Sequence, residues 1–260
     1  NSKPYSGGAV CLDGIKNLIY NCTFKDNEAL YFAGAIDIYG KSNTIDNCTF
    51  EDNTASYYGG AVYMESTDCI VNNSVFNHNT VDYYGGAVTV YKDNNVIDNS
   101  DFSENIVNYG SGAAVYVTGN NVKVSDSTFE KHNGDEGGAL YWIGSNGTVK
   151  GSKFNKNTAK SYGGAIKWES VGGTIEDCEF TENSVVRYHG GAIYVTQPNV
   201  VIKKSKFSQN TAGKDAGAVY INTNNVTVKD SYTFNDYSAS GSHEFKNASG
   251  VSFTSTFDAE

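Results

Sequence analysis

Residues 59–84 read GGAVYMESTDCIVNNSVFNHNTVDYY, and Gly85 and Gly86 then open a similar stretch. A glycine pair starts this unit, and a short segment rich in β-branched and aromatic residues follows it. Polar turn residues lead to a second segment in which apolar and polar side chains alternate. Alternation with a period of two is typical of β-strands and excludes helical repeats. The unit therefore predicts two or three short strands joined by tight turns.

The same unit returns along the whole chain at intervals of 25–27 residues. The second small residue of the opening pair marks each copy: Gly8, Gly34, Gly60, Gly86, Ala113, Gly138, Gly164, Gly191 and Gly217. A phenylalanine keeps step with it: Phe24, Phe50, Phe76, Phe102, Phe129, Phe154, Phe180, Phe207 and Phe234. Two landmarks in phase predict a solenoid, and this period is too short for a propeller blade. We therefore expect an all-β, single-stranded right-handed parallel β-helix of about nine rungs of about 26 residues, because parallel crossovers are right-handed.

Three columns of each rung are expected to face inward. In one rung these are Val62, Met64 and Phe76, which lie at every second position of their strands. An asparagine follows the phenylalanine by three residues in most rungs: Asn27, Asn53, Asn79, Asn105, Asn157, Asn183 and Asn210. We interpret these as a structural ladder of stacked amides at a sharp corner. His132 takes the place of one asparagine.

The repeats predict one domain over residues 1–236. Residues 237–260 lack a glycine-alanine turn and are expected to form an irregular last rung or a C-terminal cap, which repeat proteins need. The first residues already lie inside a repeat, so we expect the chain to be a fragment of a larger surface protein.

Composition excludes several classes of partner. A formal net charge of −10 disfavours nucleic acid, and no apolar run is long enough for membrane insertion. The five cysteines form neither a zinc motif nor a disulfide framework. Cys22 and Cys48 share a column that Ser74 and Ser100 continue, which favours a ladder of small buried residues over a disulfide.

Tyrosine, with 19 copies, is the most informative surplus. A first group precedes the glycine turn: Tyr5, Tyr31, Tyr57, Tyr83 and Tyr109. A second group follows it and is expected to point outward by alternation: Tyr39, Tyr63, Tyr91, Tyr116, Tyr141, Tyr194 and Tyr220. Tyrosine suits contact with sugars or protein surfaces, so we assign a binding site to the second group. The alternative is that these rings only support their cross-strand neighbours.

The sequence contains no motif that is typical of a catalytic or metal site. Arg187, the only arginine, is interpreted as a solvated turn residue, and acids such as Asp26 and Asp52 lie in exposed turns with nothing to tune them. We expect no catalytic residues and no cofactor, although a weak Ca²⁺ site between turn acids stays open. Asn-x-Ser/Thr sequons allow N-glycosylation at Asn21, Asn47, Asn72, Asn146, Asn225 and Asn247.

The G-G-A-[IV] and F-x-x-N motifs, as in residues 60–62 and 50–53, resemble those of two protein groups. One is the adhesin-like surface proteins of methanogenic archaea, and the other is the chlamydial polymorphic outer-membrane proteins. The resemblance implies a secreted, extracellular, cell-surface protein that attaches to a glycan or protein on another cell or surface. It carries no catalytic residues. A carbohydrate-active lyase or hydrolase and a passive structural stalk remain the alternative functions.

Overall fold

The computed structural model describes residues 4–239, 245–247 and 253–254. Every strand pairs in parallel with the equivalent strand one rung away, so that Phe76 lies between Phe50 and Phe102 in register. The chain is an all-β, right-handed parallel β-helix of about nine rungs of roughly 26 residues, and the predicted fold class is confirmed.

Each rung contributes to four sheets, not to the two or three that the alternation predicts. Sheet 1 contains Val10–Leu12, Ile36–Ile38, Val62–Met64, Val88–Val90, Val115–Val117, Leu140–Trp142, Ile166–Trp168, Ile193–Val195, Val219–Ile221 and Phe245–Asn247. Sheet 2 contains Leu18–Tyr20, Thr44–Asp46, Ile70–Asn72, Val96–Asp98, Lys123–Ser125, Thr148–Lys150, Thr174–Glu176, Val201–Lys203, Thr227–Lys229 and Phe253–Thr254.

The other two sheets close the rung. Sheet 3 contains Thr23–Lys25, Thr49–Glu51, Val75–Asn77, Asp101–Ser103, Thr128–Glu130, Lys153–Asn155, Glu179–Thr181, Lys206–Ser208 and Tyr232–Phe234. Sheet 4 contains Thr54–Ala55, Thr80–Val81, Ile106–Val107, Asn133–Glu136, Thr158–Tyr162, Ser184–Val185, Thr211–Ala212 and Tyr237–Ser238. Most strands of sheet 4 have two residues, which is too short for alternation to reveal them in the sequence.

A single residue in the left-handed region turns the chain at each corner between sheets. In one rung the corner residues are Gly59, Asp68, Asn73 and His78, with φ of 62°, 62°, 49° and 52°. Gly, Asn and Asp adopt this conformation at the lowest cost, which explains why the chain is rich in them. The landmark Gly60 has a second reason, because a Cβ there would lie 2.0 Å from the Gly86 carbonyl oxygen.

The phenylalanine column forms the centre of the core. Successive rings stack nearly parallel, with centroids 4.6 Å apart between Phe50 and Phe76 and 4.7 Å apart between Phe76 and Phe102. The column ends at Phe207, because Thr233 and not Phe234 lies in register with it. One more residue separates Ser231 from Phe234 than separates Ser205 from Phe207, so Phe234 turns outward. The expectation that Phe234 continues the column is wrong.

The asparagine ladder is confirmed. The Asn53 side-chain amide donates to Asn79 Oδ1 at 2.8 Å and to the Phe24 carbonyl oxygen at 2.9 Å, and the Asn53 backbone amide donates to the same Oδ1 at 3.0 Å. Each asparagine thus satisfies backbone groups of two neighbouring rungs inside the corner. His132 Nδ1 accepts the Asn105 amide hydrogen at 3.1 Å in the same column.

A second ladder lies at the corner between sheets 2 and 3. The Cys48 amide donates to Ser74 Oγ, and the Ser74 amide donates to Ser100 Oγ, both at 3.1 Å. Cys22 and Cys48 are free thiols; Cys48 is buried as expected, whereas Cys22 is exposed, so the expectation of burial is wrong for Cys22.

Two stacked tryptophans enlarge the core of adjacent rungs. The rings of Trp142 and Trp168 lie 4.8 Å apart. A Cβ on Gly147 would lie 2.2 Å from Trp142 Cζ2, and a Cβ on Gly173 would lie 2.4 Å from Trp168 Cζ2. Other rungs place valine, cysteine or asparagine at the glycine position, so the large and small residues compensate within each rung.

Residues 237–260 were expected to form a last rung or cap. Tyr237–Ser238 extends sheet 4, and the strands Phe245–Asn247 and Phe253–Thr254 extend sheets 1 and 2. The remainder of this segment, and with it the predicted cap, lies outside the described residues.

Candidate functional site

In the sheet 1 strands from Val10–Leu12 to Val219–Ile221 the middle residue points away from the core, yet several of these side chains are buried. Tyr63, Tyr116 and Tyr194 are only 4%, 8% and 7% exposed. Aromatic residues at the end of the sheet 4 segment cover them: the Tyr63 ring lies 5.4 Å from Phe32, and the Tyr116 ring lies 4.6 Å from Tyr84. The face of sheet 1 thus carries an outer aromatic layer, a small second core outside the helix.

The seven tyrosines of the predicted binding group therefore do not form one surface. Tyr39 and Tyr91 are exposed, and Tyr141 and Tyr220 are half-buried. The expectation that the whole group is exposed is wrong for Tyr63, Tyr116 and Tyr194, because alternation fixes the side of a strand and not what covers that side.

Burial also changes the chemistry of these phenols. It raises the pKa of Tyr194 to about 12, and it raises the pKa of Tyr63 and Tyr116 further, because the phenolate loses its hydration. These three side chains are neutral packing groups of the outer aromatic layer.

The first tyrosine group forms a column in which Tyr31 is half-buried and the other four rings are exposed. Adjacent ring centroids of Tyr5, Tyr31, Tyr57, Tyr83 and Tyr109 lie 4.4, 5.4, 5.3 and 6.4 Å apart. Tyr109, at the end of the column, is 72% exposed. We call these five residues the tyrosine strip. The sequence contains the signal, since all five precede the glycine turn, but alternation gave no reason to prefer them.

Beyond Tyr109 the strip is interrupted by a cleft of about 530 Å³. In three successive rungs, Gly110, Asp135 and Ser161 occupy the register position of Tyr83, and Tyr109 lies one residue before it. Tyr188 returns to this position, with its ring stacked 5.2 Å from Tyr162. The residues that line this polar cleft are Tyr84, Tyr109, Gly110, Ser111, Asp135, Glu136, Lys160, Ser161 and Arg187. A register shift between Gly134 and Glu136 marks the same place in sheet 4.

The charges of the polar cleft are unequally paired. Lys160 Nζ lies 2.5 Å from an Asp135 carboxylate oxygen, and Lys167 Nζ lies 2.6 Å from a Glu136 oxygen. Arg187 is exposed, and within the described part of the chain no carboxylate lies within ion-pair distance of its guanidinium. Of the four charged residues that line the cleft, Asp135, Glu136 and Lys160 are ion-paired and Arg187 has no ion pair among the described residues, and their formal charges sum to zero.

Behind the cleft, Lys167 lies in the outer aromatic layer with 9% of its side chain exposed. Its ammonium is 3.5 Å from Glu169 and 5.0 Å from the centre of the Tyr141 ring. The Tyr141 hydroxyl donates to Glu169, and burial together with that carboxylate raises the pKa of Tyr141. The cluster fixes the orientation of Glu136 at the cleft wall.

The other predicted residues are spread over the surface. The sequons at Asn21, Asn47, Asn146 and Asn225 have exposed asparagines, Asn72 is half-buried, and the side chain of Asn247 lies outside the described residues. Among described residues, no group of three or more His, Cys, Asp and Glu could hold a metal ion. In the same part of the chain, no helix is long and apolar enough to cross a membrane.

Comparison with known proteins supports the fold. A solved structure described as a mannuronic acid specific polysaccharide family 6 lyase from human gut microbiota superimposes with a TM-score of 0.53, at 13% identity, over 97% of this chain and 78% of that one. This likeness is one of fold. No curated protein matches the chain. The family model for the right-handed β-helix region matches residues 1–146 and 131–257, and the chain belongs to that family.

Proposed function

We propose that this chain is a non-catalytic, adhesin-like module, displayed outside the cell at its surface, that attaches to a glycan on another cell or surface. The observation that carries this proposal is the tyrosine strip. Four of its five rings are exposed, each rung carries one ring, and Tyr57 stacks on both Tyr31 and Tyr83 on a regular scaffold.

The chemistry of the strip suits a sugar chain. A tyrosine ring offers a flat apolar face for the C–H side of a sugar and a hydroxyl for its polar rim. Because each ring lies against its neighbour, and Tyr57 stacks on both Tyr31 and Tyr83, little side-chain entropy is lost when a ligand binds. Rungs repeat every ~4.8 Å, so the strip presents a periodic surface to a periodic, extended polymer. The exposed sequon asparagines are compatible with an extracellular protein that carries glycans itself.

A second candidate is a carbohydrate-active enzyme. Glu136 and Glu169 both contact the Lys167 ammonium, at 2.6 and 3.5 Å, so the two carboxylates are neighbours, as the acid pair of a glycoside-cleaving enzyme must be. The polysaccharide lyase shares the fold of this chain, so the fold fits an enzyme as well as it fits an adhesin-like protein. Incubation with neutral and acidic polysaccharides, followed by detection of new reducing or unsaturated ends, separates turnover from binding.

The test of attachment is a glycan array probed with the wild-type chain and two double variants of matched size. Tyr57→Ala with Tyr83→Ala removes two strip rings, whereas Tyr20→Ala with Tyr232→Ala removes two exposed rings from sheets 2 and 3. We expect the strip variant to bind its glycan roughly tenfold or more weakly, which corresponds to about 1.4 kcal/mol or more, and the control to bind like wild type.

Neither double variant should change the melting temperature by more than a few degrees, since all four rings are exposed. Equal binding by the strip variant would contradict the proposal. No binding across the array would favour a passive stalk, with the attachment site elsewhere in a larger protein.

A further inference from the structure

The tyrosine strip leads directly into the polar cleft. Tyr83 and Tyr109 are neighbouring rings of the strip, and Tyr109 is also a wall of the cleft. Tyr188 lies on the far side and is exposed. A polymer that follows the column of rungs therefore crosses the cleft between two aromatic platforms.

The strip offers only phenol hydroxyls as polar groups, whereas the cleft contains charged side chains that can recognise a charged ligand. Asp135 and Glu136 each lie beside a lysine ammonium, at 2.5 and 2.6 Å, which offsets part of their repulsion of an anion. Arg187 has its planar, five-donor guanidinium free, and this group matches a carboxylate in a bidentate geometry.

A second cation extends the same region. Lys214 follows Tyr188 on the next rung, is exposed and has no ion-pair partner in the part of the chain that the structure describes. The net charge of −10 does not oppose a local anion site, because charges farther than ~8 Å are largely screened at physiological salt. Arg187 and Lys214 thus give an acidic chain one basic place beside two aromatic rings.

We propose that the polar cleft is a subsite for a sugar carboxylate, in which Arg187 binds a hexuronic acid unit of the glycan that the tyrosine strip holds. This inference rests on the proposed function and adds the ligand class to it. Tyr109 and Tyr188 contact the faces of the sugar units on either side, and Ser161 supplies a hydroxyl at the cleft wall.

The experiment uses two ligands that differ only in the carboxylate: an oligomannuronate and an oligomannose of the same linkage and length. Binding is measured by titration calorimetry with wild type, Arg187→Gln and Arg187→Lys. We expect wild type to prefer the oligomannuronate, and this preference to weaken at high salt. Arg187→Gln should lose about tenfold in affinity for the oligomannuronate and leave the oligomannose unchanged. Arg187→Lys should recover part of the loss, because it restores the charge without the bidentate fork.

The strip variant Tyr57→Ala with Tyr83→Ala separates this inference from the proposed function. If it weakens both ligands while Arg187→Gln weakens neither, the strip binds glycans and the carboxylate subsite is wrong. If wild type binds both ligands equally, the subsite is also wrong. If the strip variant binds both ligands like wild type while Arg187→Gln loses the oligomannuronate, the cleft binds alone and the proposed function of the strip fails. Arg187 is exposed, so an unchanged melting temperature verifies that its variants fold.

Discussion

The interior of this β-helix and the outer face of its sheet 1 differ in how strictly they repeat. Inside, the phenylalanine and asparagine columns carry the same residue in almost every rung. Outside, the column that covers sheet 1 runs in register through Ser6, Phe32, Tyr58, Tyr84, Ser111, Glu136, Tyr162, His189 and Asp215. Aromatic residues give way to a serine and a glutamate in its middle, beside the polar cleft.

The difference follows from what each column has to satisfy. A core side chain touches its own copies above and below, so one residue that stacks well serves all rungs. A residue on the outer face also meets solvent and ligands, and each rung is free to differ. We therefore expect any specific contact of this repetitive scaffold at the place where the outer column varies.

The strongest test of this contrast removes one ring from each region. Phe102 is buried between Phe76 and Phe129, with ring centroids at 4.7 and 4.9 Å, whereas Tyr109 ends the exposed strip. We expect Phe102→Ala to lower the free energy of unfolding by about 3–5 kcal/mol, because it leaves a cavity. Tyr109→Ala should change it by less than about 0.5 kcal/mol. Urea unfolding monitored by circular dichroism measures both, and similar losses in the two variants would refute the contrast.

Most of the interior is predictable from sequence because each feature repeats. The Gly60 position, the Phe76 column and the Asn79 ladder each recur at one interval, and a stacked rung is the simplest structure in which they superimpose. The exception at Phe234 is visible only in the register, since a single extra residue moves the side chain from the inside to the outside.

The outer face is less predictable because another segment of the chain decides its exposure. Tyr63 and Tyr91 both lie outside the core, but Phe32 and Tyr58 cover only Tyr63 closely. The polar cleft leaves a faint signal, namely that Gly110, Asp135 and Ser161 replace a tyrosine of the earlier rungs. The interruption is visible when the repeats are aligned position by position, because these three residues lie outside the glycine-alanine and F-x-x-N motifs.

Asp37 offers a second test of the difference between the interior and the outer face, because it places an ionisable carboxyl group in the outer aromatic layer. It is fully buried, and its carboxylate makes no hydrogen bond of ordinary geometry. Burial raises its pKa to about 7; the Tyr39 hydroxyl opposes this shift, and the nearby Glu65 and Asp13 add to it. Because the folded-state pKa lies above the ordinary value of about 3.8, the protonated group stabilises the fold below about pH 4, and that stability is lost as the pH rises through 7.

We expect Asp37→Asn to abolish this loss and to raise the free energy of unfolding by roughly 2–4 kcal/mol at pH 8, with little effect at pH 4. Urea unfolding at both pH values measures the difference. The control is Asp101→Asn, an exposed carboxylate of sheet 3, which should change stability by less than about 0.5 kcal/mol at either pH. If Asp37→Asn shifted stability equally at pH 4 and pH 8, the carboxylate would not be the cause.

His132 allows a test with a smaller expected effect, because it interrupts the asparagine ladder of the otherwise regular interior. Burial lowers its pKa to about 4, so the folded chain holds the imidazole neutral and loses stability as the pH falls from about 6.5 through 4. In the neighbouring rungs Asn105 and Asn157 each donate a side-chain hydrogen bond to the carbonyl oxygen of a phenylalanine one rung away. The His132→Asn side chain should restore two hydrogen bonds: one to the phenylalanine carbonyl oxygen of the neighbouring rung and one to Asn157 Oδ1. Each is worth about 1 kcal/mol net.

We therefore expect His132→Asn to raise the free energy of unfolding by about 1–2 kcal/mol at pH 7 and by more at pH 5. The reciprocal change, Asn157→His, should lower stability and introduce the same acid sensitivity. A His132→Asn variant less stable than wild type at pH 7 would mean that the rung is shaped around the imidazole, and that this interruption of the ladder belongs with the irregular outer face rather than with the repeating interior.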